Sequence, residues 1–124
     1  MALIIDPSKQ GLEKVLRDYQ IEALKIVWNS EIKGLSSREV YVAVNRVLGD
    51  RAISRASIIN FLNDMCDEGV LKYTEETCKG GTRRRYFTGM NEAAFKKHIA
   101  KVVVLSLLKD FPEQTIEVVK ETLD

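Results

Sequence analysis

Apolar positions recur along this chain mostly at intervals of three and four, the spacing of helices packed on one side. Leu12, Val15 and Leu16 form a first short group, preceded by Asp6-Pro7. Asp as cap and Pro at the first helical position predict a short leading helix there. Ile21, Leu24, Ile26, Val27 and Trp28 form the stripe of a longer helix that starts near Asp18 and stops by Gly34. Ser36-Ser37-Arg38-Glu39 has capping-box spacing and opens a helix whose apolar face is Val40, Ala43, Val44 and Val47, closed by Gly49-Asp50. Ser54 caps a third helix, with Ile58, Phe61, Leu62 and Met65 at i, i+3, i+4 and i+7 and Gly69 as its stop.

The period then changes. Val70, Leu71 and Tyr73 start a strand, Gly80-Gly81 is a turn signal, and Tyr86-Phe87-Thr88 end a partner strand. The order helix, helix, helix, strand, strand is that of a winged helix-turn-helix. After it, Asn91 caps a helix running to about Lys109, and Asp110-Phe111-Pro112-Glu113 breaks it. A last helix carries Ile116, Val119 and Leu123 on one face. The expected fold is mainly α with a small β-hairpin. It comprises a winged-helix domain with a short N-terminal helical extension (residues 1–90) and a helical tail (91–124).

The tail departs from one-sided patterning. Between Val102 and Leu108 only Ser106 interrupts an apolar run, so the helix is apolar nearly all round. More faces are apolar than one small domain covers. Val102, Val103, Leu105, Leu107, Leu108, Ile116 and Val119 are therefore the expected contacts of a homodimer. The run is far short of the roughly 20 residues needed to cross a bilayer, and no membrane partner is expected.

Composition narrows the function only a little. The 124 residues are 45% hydrophobic and 30% charged, with a net charge of +1, as expected of a folded chain without global affinity for nucleic acid. Two cysteines, Cys66 and Cys78, and one histidine, His98, do not form a zinc pattern. No metal or other cofactor is expected. Free thiols and the lack of a recognisable secretion signal point to the cytoplasm. No nucleophile–base set, phosphate loop or paired carboxylates stand out, so no catalytic residue is expected.

Local charge changes the picture. From Thr77 to Met90 the chain holds Lys79, Arg83, Arg84 and Arg85 and no acid. Forked guanidinium donors on a hairpin suit DNA phosphates. On a strand Arg83 and Arg85 share one face and Arg84 takes the other. The face of the third helix away from its apolar stripe carries Arg55, Ser57, Asn60 and Asn63, side chains suited to base edges or phosphates, and Arg46 and Arg51 flank the loop into that helix. Double-stranded DNA is the expected partner. The alternative is a winged-helix module that binds another protein through the acidic end of the third helix.

Three stretches also carry a resemblance. DYQIEALKIVWNSE, with Trp28 after an aliphatic pair, resembles the opening helix of the penicillinase-repressor (BlaI/MecI-type) winged-helix regulators. LSSREVYVAVNRVLG, with Glu39-Val40, looks like that family's second helix, and ISRASIINFLNDMCDEGVLKY is similar to its recognition helix and exit. The resemblance spans roughly residues 16–90. It implies a dimeric DNA-binding repressor on a near-palindromic operator, with residues 91–124 as the dimerisation module. Asp64, Asp67 and Glu68 stand where the family is usually basic, and the single Asn-Phe pair is Asn60-Phe61, inside the recognition helix. The resemblance therefore does not extend to the family's proteolytic response to β-lactams.

Overall fold

In the computed structural model, which describes residues 3–123, the chain divides between Glu92 and Ala93 into two compact units. The first holds α1 (Asp18–Trp28), β1 (Leu35–Ser36), α2 (Ser37–Leu48), α3 (Arg55–Asp67), β2 (Leu71–Cys78) and β3 (Gly81–Thr88). The second is built from α4 (Glu92–Asp110) and α5 (Pro112–Leu123). This is a mainly helical winged helix followed by a helical part.

The core of the first unit is the convergence of three helix stripes. Ile21, Leu24 and Val27 of α1, Val40, Val44 and Leu48 of α2, and Ile58, Phe61, Leu62 and Met65 of α3 are all buried. Tyr19 meets the Phe61 ring edge-on at 6.2 Å between centroids. Val47, expected on the apolar face of α2, is 59% exposed. The buried residues of that helix step by four, and Val47 falls beside the stripe. Trp28 is fixed by its indole Nε1, which donates to the Met90 carbonyl at 2.7 Å.

The capping signals work as hydrogen bonds. Glu39 N donates to Ser36 Oγ at 3.2 Å, and Ser36 N donates to Glu39 Oε1 at 3.1 Å. Ser57 N donates to Ser54 Oγ at 3.1 Å. At the far end of α3, Gly69 N reaches Cys66 O at 3.0 Å and Val70 N reaches Met65 O at 2.9 Å. That pair of bonds closes the helix and delivers buried Val70 to the start of β2.

One expectation is corrected and another extended. The leading helix is not α-helical. Asp6 Oδ1 accepts from Ser8 N at 3.0 Å and from Ser8 Oγ at 2.6 Å, making a turn in place of a helix start. Only a four-residue 3₁₀ turn, Gly11–Lys14, follows. The sheet, in turn, has three strands in the order β1-β3-β2. Leu35 pairs with Tyr86 and Ser36 with Arg85, so the short strand before α2 covers one edge of the hairpin. The hairpin turn itself is Lys79-Gly80, since Cys78 pairs with Gly81.

In the second unit Pro112 starts α5 at the position where a missing N–H costs nothing. Leu105 is 54% and Ile116 is 47% exposed. Val104, Leu107, Phe111, Thr115, Val118 and Val119 line a mostly apolar groove of about 320 Å³. Val102, Val103 and Leu108 are half-buried. No helix among the described residues is long and apolar enough to cross a membrane.

The β1–β3 pairing rests on Gly34. Its φ is +80°, and a Cβ there would collide with the Tyr86 carbonyl oxygen. Gly34→Ala should cost roughly 2–3 kcal/mol in urea unfolding, from backbone strain and collision together. Gly80→Ala, which has positive φ but open space around it, should cost visibly less. Equal costs would show that β1 packs loosely on β3.

Candidate nucleic-acid interface

The approach to α3 is built by a side chain that acts as a piece of backbone. Asn45 Oδ1 accepts from Ile53 N at 2.8 Å, and its Nδ2 donates to Ile53 O at 3.1 Å. This satisfies both polar groups of the residue just before the Ser54 cap and fixes where α3 leaves α2. Nothing in the hydrophobic pattern marks Asn45, because its partner lies eight residues away across a turn. Arg51, in the same connection, pairs with Asp18 at 2.8 Å and remains largely exposed. Arg46 is exposed on α2.

On α3 the expected outer face divides. Arg55, Ala56 and Asn60 are exposed and Ile59 is half-buried. Ser57 is tied into the cap, where Ser54 Oγ donates to its hydroxyl at 2.9 Å. Asn63 is not on the outer face. Its Oδ1 accepts from Tyr86 OH at 2.7 Å and from Arg84 Nη1 at 3.0 Å, so it is turned to the sheet. A helical step of three carries Asn63 round towards the buried stripe, and the buried phenol of Tyr86 needs a partner.

The hairpin also divides what the sequence groups. Counting outward from the turn places Glu76 opposite Arg83 and Glu75 opposite Arg84. Two acids thus lie across from the basic run, outside the window in which it counts as acid-free. Arg83 Nε is 2.6 Å and Arg85 Nη1 is 3.2 Å from Glu76 Oε1. The hydrogen bond from Arg83 holds the Glu76 carboxyl below the usual carboxylate range. Arg85 Nη2 also lies 2.8 Å from the Gly34 carbonyl and 3.3 Å from Glu39 Oε1. Its side chain is only 13% exposed. Glu39 is likewise held low, first by the Ser36 backbone N–H and further by Arg85.

Arg84 is on the opposite face, as strand alternation requires. Its guanidinium carbon lies 3.9 Å from the centre of the Tyr73 ring, a cation–π stack, while one Nη holds Asn63. Arg84 and Arg85 therefore tie the hairpin to α3 and to the turn before α2. Arg83 is nearer the hairpin end, with its side chain 46% exposed, and Lys79 is exposed in the turn. Cys66, beneath this cluster, is half-buried, and burial pushes its thiol up to about 11. Such a thiol stays protonated and unreactive.

Of the expected site residues, Arg55 and Asn60 at the start of α3, Lys79 and Arg83 at the end of the hairpin, and Arg46 and Arg51 around the connection into α3 are exposed. The Asn63 carboxamide links α3 to the hairpin. Among the described residues, no group of three His, Cys, Asp or Glu side chains could hold a metal ion.

No protein-family model matches the chain, and no curated protein matches it. Among solved structures it is similar to the ferric uptake regulator Fur of Helicobacter pylori, described as having three functional metal binding sites. The two are 26% identical over 59% of this chain and 46% of that one, with a TM-score of 0.47. The chain thus spans less than half the length of that regulator. The winged-helix assignment rests on the element order and strand register of the chain itself.

The link between α3 and the hairpin has a measurable coupling. Asn63→Ala should cost about 1–3 kcal/mol, because it leaves the buried Tyr86 hydroxyl without an acceptor. In a Tyr86→Phe background the same change should cost less by at least ~0.5 kcal/mol. Additive costs in denaturant unfolding would mean that this bond does not hold the two elements together.

Proposed function

We propose that this chain is a sequence-specific double-stranded DNA-binding transcriptional regulator. It acts as a homodimeric repressor of the penicillinase-repressor kind and works in the cytoplasm, where its two unpaired thiols stay reduced. The observation that carries the reading is the pairing of two exposed polar groups on adjoining elements. Arg55 and Asn60 lie at the start of a capped helix, and Arg83 and Lys79 lie at the end of the hairpin that follows it. A helix of this kind fits a major groove, and a hairpin beside it reaches the flanking backbone. Asn60 is the candidate for reading adenine, and Arg46 and Arg51 for phosphates. Catalysis has no part in this reading.

A second reading is favoured by one observation: every guanidinium of the hairpin already has a partner within the protein. On that reading the fold is an interaction module, and the acidic end of α3 at Asp64, Asp67 and Glu68 meets another protein. Titration of random-sequence duplex DNA at two salt concentrations separates the two. Contacts from Arg46, Arg51, Arg55, Lys79 and Arg83 should give a log–log slope of roughly −4 to −5. An interaction module shows little affinity at either salt.

The dimer is supported by the apolar faces of α4 and α5 and by the poor fit of this tail to DNA, with six acids against five lysines. Two-fold symmetry would set two recognition helices roughly 34–36 Å apart, hence a near-palindromic operator. The full chain should sediment as a dimer at micromolar concentration. Leu105→Asp, at an exposed position, should make it a monomer without unfolding it. A parent chain that sediments as a monomer would remove the dimer and the palindrome together.

A further inference from the structure

The carboxylate of Glu76 is a feature that DNA binding as such does not need. It lies on β2 opposite Arg83, two residues before the strand ends at the turn. It accepts from Arg83 Nε at 2.6 Å and from Arg85 Nη1 at 3.2 Å. A duplex phosphate and this carboxylate offer the same guanidinium the same kind of acceptor. They compete.

We propose that Glu76 is an affinity-setting residue: the hairpin carries its own competitor for the phosphates, and Arg83 changes partner from Glu76 to a phosphate oxygen when the protein binds. The inference rests on the DNA-binding reading and deepens it.

The geometry makes the exchange cheap for Arg83 and expensive for Arg85. Arg83 has one acceptor, and its side chain is 46% exposed, so its ion pair is of the weak surface kind. Arg85 is 13% exposed and is held by Gly34 O, Lys33 O, Glu39 and Glu76 together. When Arg83 leaves, Glu76 keeps Arg85, so no carboxylate is stranded without a cation. The shared carboxylate thus behaves as a latch with one fixed and one exchangeable guanidinium. It also sets the electrostatics of binding. With Arg83 turned to a phosphate, Glu76 is balanced by Arg85 alone and stands beside that phosphate as an acid, which lowers affinity for every sequence alike and leaves discrimination to the α3 face.

Glu75 supplies the control. It is the neighbouring acid on the same strand, is exposed, and has Arg84, not Arg83, opposite it. Glu75→Gln and Glu76→Gln change the net charge identically. Both variants and the parent are titrated with a random-sequence duplex and with long-chain inorganic polyphosphate. Glu76→Gln should bind both probes about three- to fivefold more tightly than Glu75→Gln. Its salt slope on the duplex should be steeper by up to about one unit. The gain should vanish in the Glu76→Gln/Arg83→Ala double variant. In the unaltered parent, the Arg83 Nε–H NMR signal should move when polyphosphate is added, a test that no folding defect in a variant can spoil. Equal effects of the two glutamine variants, or an Arg83 signal that stays in place at saturation, would overturn the proposal. A response to polyphosphate without any to duplex would keep the exchange and remove the DNA reading. A parent that binds neither probe would end both.

Discussion

Two hydrogen bonds converge on one oxygen, Asn63 Oδ1, and the arrangement of the α3 face and the hairpin depends on them. Tyr86 brings the donor from β3, the central strand, where its ring is buried and its backbone pairs with both Leu35 and Tyr73. Arg84 brings the second donor while stacking on Tyr73. A buried phenol without an acceptor is costly, so the sheet cannot slide along α3 without losing this contact. Around it the other constraints are local. The Ser36–Glu39 box and the Asn45 clamp fix the start and exit of α2, and the two bonds beyond Glu68 aim the chain into β2.

What was legible in the sequence was what short range decides. Both serine caps, the four buried positions of α3 and the Pro112 break follow from residues within one or two helical turns of each other, and each forms as read. Asp6-Pro7 shows the limit of such signals. The same aspartate that caps a helix can close a turn on Ser8, and among the described residues of the segment Leu16 alone is a buried anchor to favour the helix. A strand of two residues such as Leu35–Ser36 has no period to detect and exists only through its partner β3.

The candidate site was legible in outline and not in its allocation of side chains. Alternation correctly separates Arg84 from Arg83 and Arg85. It does not reveal that Arg84 and Arg85 are fixed within the protein, because Asn63, Gly34 and Glu39 come from three other parts of the chain. The turn signal misplaces Glu76: counting outward from Gly80-Gly81 sets it opposite Arg85, whereas the observed turn at Lys79-Gly80 sets it opposite Arg83. A window of charge counted along the sequence misses it, since a hairpin sets charges face to face that the chain keeps several residues apart. The outcome is a hairpin of five bases against two acids whose three arginines are each held by a partner within the protein, beside a helix start that presents Arg55 and Asn60 to solvent.

On the proposed reading, the start of α3 and the end of the hairpin together form one DNA-facing surface. The most direct test is a map of backbone amide shifts in the full chain as duplex DNA is added at low salt. Shifts should cluster at Arg55–Asn60 and at Lys79–Arg83, with Asp64–Glu68 unmoved. Shifts confined to the acidic end of α3, or the absence of any at saturating duplex, would contradict the account.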